Sequence, residues 1–282
     1  MTLPVPADLL KPLILRALEE DVSQGGDLTT LATVPADRLA TAQLNTRQHG
    51  TLAGIDVAAL VFTTVSDQIS VQTQAADGEA IAPGGTLLTA TGPAQALLTA
   101  ERTALNILSH MTGIASATAA LVQLIDGTGA HLAATRKTLP GLRLLQKHAV
   151  RCGGGMTHRM SLSDAVMIKD NHIIAAGGIT EAMTKARHYA GHTVKIEVEV
   201  DTISQLEDIL PLRPDIVLLD NMTTDDLSRA VALAKGQTVL EASGGVTAST
   251  IRAIAETGVD IISVGALTHS VTAIDIGMEL SL

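Results

Sequence analysis

Between residues 136 and 172 the chain gathers Arg136, Lys137, Arg143, Lys147, Arg151, Arg159 and Lys169, together with His148, His158 and His172. Only Asp164 and Asp170 oppose them there, in a protein whose net charge is −10. A local cation excess of this kind suits a polyanion. Arginine offers carboxylate or phosphate two parallel N–H donors, and lysine adds a compact charge. The plain alternative is a solvated helix face, which suits Lys147 and Arg143. A pocket suits the others better: Arg136 and Lys137 directly follow an apolar run, His158 and Arg159 follow the Gly153–Gly155 run, and Lys169 ends another apolar run. Glycines there let the backbone approach a ligand closely or turn with positive φ. His158 alone would pass for a structural histidine; its neighbour Arg159 gives it weight.

Carboxylates follow. Glu199 and Asp220 stand near the ends of two successive apolar runs. Facing a basic pocket, they could hold magnesium, which binds through one or two carboxylates plus substrate phosphates. They could equally bond ribose hydroxyls, or form an ion pair with Lys195 or Lys169. Glu197 has the same strand parity as Glu199, and spacing does not choose between them. Ser243-Gly244-Gly245 and Gly265-Ala266 close the last two runs. A glycine turn feeding a helix over 247–257 would present backbone N–H groups to a phosphate. The sequence holds no P-loop, no G-x-S-x-G, no H-E-x-x-H and no cysteine pair. The lone Cys152 reads as a small buried or near-loop residue and not as a nucleophile.

The elements that must position these groups show in the hydrophobic pattern. A helical stripe over 8–21 (Leu9, Leu10, Leu13, Ile14, Ala17, Leu18) stops at Ser23-Gln-Gly-Gly. Residues 39–92 alternate and are punctuated by Gly and Pro, predicting short strands with one helix near 55–65. Residues 94–126 predict two helices joined near Met111-Thr-Gly. From 131 onward, apolar runs at 131–135, 165–168, 194–200, 216–219, 238–241 and 261–264 alternate with helical stretches at 180–190, 203–210, 223–235 and 247–257. That rhythm predicts a parallel sheet covered by helices. Nearly every run ends in charged, polar or glycine residues, where a βα barrel gathers its catalytic groups.

Composition narrows the classes. The 282 residues are 46% hydrophobic and 17% charged, enough for a large core. Phe62 and Tyr189 are the only aromatics besides histidine, so the core is aliphatic. Scarce aromatics and net negative charge argue against nucleic-acid binding. One cysteine fits a reducing compartment. The N-terminal segment lacks a basic region followed by an apolar run and a cleavage site, and no apolar stretch suggests a membrane span. A cytoplasmic protein is the expectation.

In order along nearly the whole chain, Glu20-Asp21, Gly26-Asp-Leu-Thr-Thr, Glu101-Arg-Thr-Ala-Leu-Asn, Ala134-Thr-Arg-Lys-Thr-Leu-Pro-Gly-Leu-Arg, Ala149-Val-Arg-Cys-Gly-Gly-Gly, His158-Arg159, Ile168-Lys-Asp-Asn-His-Ile, Lys195-Ile-Glu-Val-Glu-Val, Leu218-Leu-Asp-Asn-Met, Glu241-Ala-Ser-Gly-Gly-Val and Ile262-Ser-Val-Gly-Ala-Leu-Thr resemble the quinolinate phosphoribosyltransferases. The resemblance implies an incomplete (open) α/β barrel over 113–267, of the type II phosphoribosyltransferase kind. It also implies an N-terminal α/β sandwich domain over 1–112, completed by 268–282. The implied reaction joins quinolinate to phosphoribosyl pyrophosphate with Mg²⁺, in a homodimer with shared active sites. It further implies that Arg102 (from the partner subunit), Arg136, His158, Arg159 and Lys169 line the quinolinate pocket. Lys137 and Lys169 would meet the donor's phosphates. Glu199 and Asp220 would face the ribose and the metal, which selects Glu199 over Glu197. Ser243, Gly244, Gly245, Gly265 and Ala266 would hold the 5-phosphate. Lys137, Lys169, Glu199 and Asp220 form the implied catalytic set. The sequence departs from the family at Met156-Thr157, where Asn commonly precedes His-Arg.

Overall fold

The computed structural model describes residues 5–234 and 236–282. The start of the N-terminal segment and the last residue of the helix expected over 223–235 therefore lie outside the described residues.

In chain order the elements begin with α1 (Ala7–Val22), α2 (Leu28–Thr33), β1 (Leu39–Thr46), β2 (Gly50–Thr51), α3 (Ile55–Val65), β3 (Ser70–Thr73), β4 (Ala80–Ile81), β5 (Thr86–Pro93) and α4 (Ala94–Leu124). Then come β6 (His131–Ala133), α5 (Arg143–Cys152), β7 (Val166–Ile168), α6 (Asp170–Ala176), α7 (Ile179–Tyr189), β8 (Ile196–Val200), α8 (Ile203–Ile209), a short 3-10 turn (Leu210–Leu212) and β9 (Ile216–Asp220). The chain closes with α9 (Thr224–Ala234), β10 (Val239–Ser243), α10 (Ile251–Glu256), β11 (Ile261–Ser263), α11 (Ala266–His269) and β12 (Ile276–Ser281).

Contacts divide the chain into two units. The first holds the chain up to Ala119, Leu139–Gly154 and Ser270–Leu282; the second holds Ala120–Thr138 and Gly155–His269.

The first unit is built on an antiparallel sheet in the order β12-β1-β5-β3. Alternate residues Ala40, Ala42 and Leu44 of β1 are buried, as period-two patterning requires. Phe62 of α3 is fully buried in this aliphatic core. The region 94–126 is one helix, not two. Met111, Thr112 and Gly113 are buried mid-helix, and a Cβ on Gly113 would lie 2.2 Å from the Thr272 carbonyl oxygen. That glycine permits close approach of backbone and breaks nothing. The continuous helix is long and apolar enough to cross a membrane by length and composition, although Leu97, Leu105, Leu108 and Ile114 are buried within the protein.

Helix α5 corrects a second expectation. Lys147 is fully buried and Arg143 is half-buried, so this is no solvated face. Gln146, buried beside Lys147, accepts the Leu139 amide at 2.8 Å and pairs with His110 at 2.9 Å. Burial holds His110 below its ordinary pKa. His148 Nε2 lies 2.7 Å from Asp77 Oδ2, while Asp77 Oδ1 accepts the Gly54 and Ile55 amides at the start of α3. Cys152 sits 3.4 Å from the same histidine nitrogen, and burial pushes its thiol up to about 12. A thiol kept protonated is a poor nucleophile and a poor metal ligand.

The second unit carries six parallel strands in the order β6-β11-β10-β9-β8-β7. β6 and β7 are consecutive in sequence yet form the two edges, so the barrel is open. The chain between them contributes α5 to the other unit. Register assigns the faces. Leu132, Ile168, Val198, Val217, Leu240 and Ile262 share one face, and all are buried. Helices α7 to α10 pack against the strands on the apolar side. The opposite, inner face carries Met167, Glu197, Glu199, Leu218, Asp220, Glu241, Ser243 and Ser263. Polar residues on a face that a packed sheet normally fills with aliphatics mark the side where chemistry is done. Tyr189, at the end of α7, is 92% exposed.

Candidate active site

The C-terminal edge of the parallel sheet collects the candidate residues of the second unit. Past β6, the Lys137 amide is held by Thr135 Oγ1 at 3.0 Å, and its carbonyl accepts Thr268 Oγ1 at 2.7 Å. The lysine side chain crosses the turn after β11: a Cβ on Gly265 would come 2.9 Å from Lys137 Cδ and 3.3 Å from His269 Nε2. Glycine at 265 thus lets a cation and an imidazole converge where Ala266 opens α11. Arg136 is half-buried, and its Nε has no acceptor among the described residues.

Met156 forms an isolated parallel bridge with Ala133, donating to Leu132 O and accepting from Ala134 N. This bridge carries the following residues along the β6 edge. His158 has φ +50, in the left-handed region, which β-carbon sterics make uncommon outside glycine. Its ring lies against the inner face, with Nε2 3.1 Å from Glu197 Oε2 and 3.7 Å from Glu241 Oε2. Arg159 donates to the Ala165 carbonyl at 3.2 Å and to Met167 Sδ at 3.3 Å. Burial lowers its pKa first and the nearby charge of Arg136 lowers it further, while Glu197 and Asp164 oppose both. A guanidinium crowded by another and partly stripped of water is poised for an anion.

Lys169 caps α6 after β7 and pairs with Glu199 at the end of β8. The pair is the one that the sequence offered as an alternative to metal binding; Lys195 pairs instead with Asp215. Asp220 ends β9, accepts Asn221 Nδ2 at 2.7 Å and stays partly open. Its diagonal neighbour is Glu199, since Glu199 stands opposite Leu218. Asn221 takes φ +54 and donates its amide to Ser243 O at 2.8 Å. Gly244 and Gly245 have φ +95 and +60, and a Cβ on Gly244 would lie 2.1 Å from Asn221 Oδ1. Helix α10 starts only at Ile251, so the glycine turn does not feed a helix N-terminus as expected. Residues 247–251 form a single helical turn, the Ile251 amide donating to Thr247 O at 3.0 Å, and backbone amides of the glycine turn itself are what a phosphate would meet there.

Arg136, Lys137, His158, Arg159, Lys169, Glu199, Asp220, Ser243, Gly244, Gly245, Gly265 and Ala266 all fall in the second unit, whereas Arg102 lies on α4 in the first. Its side chain is 63% exposed, with Glu101 3.9 Å away. The basic cluster of the sequence is therefore divided: Arg143, Lys147, His148 and Arg151 belong to α5 and the first unit. Sequence reasoning passed over Glu241 and His269, and it left Glu197 undecided. A charged residue inside an apolar run, as in Val239-Leu-Glu-Ala-Ser, was the available signal for Glu241.

An open parallel barrel with cations, accessible carboxylates and glycine turns along its C-terminal edge defines an enzyme site for polyanionic substrates. Comparison with known proteins agrees. Residues 27–112 match the quinolinate phosphoribosyl transferase N-terminal domain, and residues 114–279 match the C-terminal domain of the same family. The chain is 45% identical over 278 residues to the carboxylating nicotinate-nucleotide pyrophosphorylase of Mycobacterium leprae, covering 97% of this chain and 98% of that one. It is 39% identical to the probable enzyme of the same name from Bacillus subtilis, covering 97% and 94%. Among solved structures, the nicotinate-nucleotide pyrophosphorylase of Francisella tularensis superposes with a TM-score of 0.93 at 40% identity, covering 98% of each chain. NadC of Streptococcus pyogenes superposes with a TM-score of 0.95 at 37% identity, covering 99% of each. The chain belongs to the quinolinate phosphoribosyltransferase family.

Proposed function

We propose that the protein joins quinolinate to phosphoribosyl pyrophosphate, releasing pyrophosphate and carbon dioxide and yielding nicotinate mononucleotide for NAD synthesis. The observation that carries this reading is the set of cations along one edge: Lys169 follows β7 and pairs with Glu199 of β8, and Arg159, held over β7 by Ala165 O and Met167 Sδ, feels the charge of Arg136. A substrate with two carboxylates and a donor with a diphosphate need that much positive charge in one place. In a low-dielectric pocket each such contact is worth more than in water.

Arg136 and Arg159 hold the two carboxylates of quinolinate. Lys137 and Lys169 meet the phosphates of the donor, and the turns at Ser243–Gly245 and Gly265-Ala266 take its 5-phosphate. Glu199 and Asp220 face the ribose and the positive charge that develops at its anomeric carbon. Their hard oxygens, at neighbouring strand ends and partly open, would suit magnesium shared with substrate phosphates once Glu199 gives up its bond to Lys169. When bound, magnesium supplies neutralisation of the leaving pyrophosphate. The pyridine nitrogen attacks the anomeric carbon as the carbon–oxygen bond to pyrophosphate breaks. The quaternised ring then accepts the electron pair of the bond to the adjacent carboxylate, carbon dioxide leaves, and the ring carbon takes up a proton. Positioning and electrostatics do the work, with no covalent intermediate on the protein.

A homodimer with shared sites belongs to this reading. Leu9, Leu15, Leu28 and Leu31 of α1 and α2 are exposed, which favours self-association, and the open side chain of Arg102 is free to reach a second subunit's pocket. A cytoplasmic location is part of the same proposal, supported by the single free cysteine. The test is a turnover assay with quinolinate, phosphoribosyl pyrophosphate and Mg²⁺ that follows nicotinate mononucleotide and carbon dioxide together. Equal amounts of both, with no product when nicotinate replaces quinolinate, are expected. A folded protein that forms neither would withdraw the assignment.

A further inference from the structure

Glu197 and Glu241 are each 1% exposed, project from β8 and β10 onto the inner face, and flank one histidine. Burying carboxylates is costly unless their bonding is complete. Glu197 Oε1 has no hydrogen-bond partner among the described residues. A residue that raises the cost of the core in this way calls for a role beyond packing.

His158 supplies one. Its Nδ1 accepts the backbone amide of Arg159 at 2.7 Å, so that nitrogen carries no proton. The ring proton then sits on Nε2 and points to Glu197 Oε2, 3.1 Å away. Which nitrogen of an imidazole is protonated is set by the bond its other nitrogen makes. Here the two bonds agree, and together they pin the ring's tautomer, its rotamer and the left-handed backbone at His158. The amide so held belongs to Arg159, whose guanidinium is fixed at its far end by Ala165 O and Met167 Sδ.

We propose that Glu197 is a positioning residue: acting through His158, it sets the approach of Arg159 to the carboxylates of the heterocyclic substrate. The chain of contacts runs from β8 through the imidazole to the backbone of Arg159 without passing through the phosphate turns. Glu197 therefore governs binding of the dicarboxylate and leaves binding of the phosphoribosyl donor alone. This rests on the function proposed above for the same site.

The experiment has two arms. In the first, ¹⁵N-histidine NMR of the substrate-free protein, with the His158 signal assigned from a His158→Gln spectrum, reads the tautomer directly. An Nε2-protonated, Nδ1-accepting ring is expected; an Nδ1-protonated ring overturns the proposal. This arm needs neither a Glu197 variant nor turnover, so its failure is distinguishable from a failure of the proposed activity. In the second, Glu197→Leu removes the acceptor, whereas Glu197→Gln keeps one in its amide oxygen. Glu197→Leu should raise KM for quinolinate about tenfold, the effect of one lost hydrogen bond to an ionised group. KM for phosphoribosyl pyrophosphate should stay within about twofold, and Glu197→Gln should recover quinolinate binding to within about threefold. Equal changes in both KM values, or no rescue by glutamine, would show a merely structural role.

Discussion

The two ends of the parallel sheet use the same charged residue types to opposite effect. At the strand starts, Asp215 takes the Ile196 amide and Lys195 Nζ, both at 2.9 Å, and Asp260 takes the Leu240 amide at 2.8 Å. Each acid there closes a backbone vacancy or an ion pair. At the strand ends, acids face a histidine and a lysine across the inner surface, and the backbone is held at positive φ at His158, Asn221, Gly244 and Gly245. A cavity of about 650 Å³ opens among Lys195, Asp215 and Asp260 at the strand starts. Another of about 370 Å³ opens beside Arg159, between the edge strand β7 at Val166 and Ile168 and the helices α6 and α7 at Ala176 and Ala182. The bonding state of the polar groups separates a stitched edge from a reactive one: stitched groups already spend bonds on the backbone and on each other.

That contrast can be broken most sharply at Arg159. Arg159→Ala should lower kcat/KM for quinolinate by about 10²–10³-fold, as expected for losing a main electrostatic contact. Its Tm should move by less than about 2 °C. A loss under tenfold in steady-state kinetics would mean that the strand ends are no more specialised than the strand starts. Asp260→Ala makes the reverse test. It leaves the Leu240 amide without its acceptor, so stability should fall by about 1 kcal/mol and Tm by about 2–4 °C, while kcat/KM stays within about twofold. Calorimetry and kinetics on one sample read both. The smallest effect is at Asp215. Burial pushes its pKa up, but the Ile196 amide, the Lys195 bond and the charges of Lys195 and Arg187 outweigh that and leave it lowered. A lowered folded pKa gives stability that is present above the ordinary value of 3.8 and lost as pH falls through the folded value. Acid unfolding should therefore show wild type more stable than Asp215→Asn above that pH, with the two converging below it. Curves that stay parallel at all pH values would remove Asp215 from the stitching.

Much of this arrangement was legible in the sequence. The apolar runs from 131 onward mark six strands because buried parallel strands tolerate few polar residues, so interruptions stand out. The groups that follow each run then fall on one edge by topology alone. Glycine was harder. Gly113 reads as a break, yet it serves close backbone approach, and that depends on Thr272, a partner 159 positions away in sequence. Lys147 reads as a surface charge because lysine usually is one; only tertiary packing buries it. Parity places Glu197 and Glu199 on the same face but says nothing of depth along the barrel. The outer of the two meets Lys169 and the inner meets His158, a difference created by the segment bridged to β6 at Met156.

The aliphatic core has an optical consequence. With no tryptophan in the chain, Phe62 sealed inside α3's packing and Tyr189 turned to solvent, the protein is nearly transparent in the near ultraviolet. Its one tyrosine senses water whether the chain is folded or not. Near-ultraviolet dichroism and intrinsic fluorescence are thus blind to the packing that holds the barrel together. The same silence makes a bound pyridine ring the dominant chromophore of any complex this protein forms.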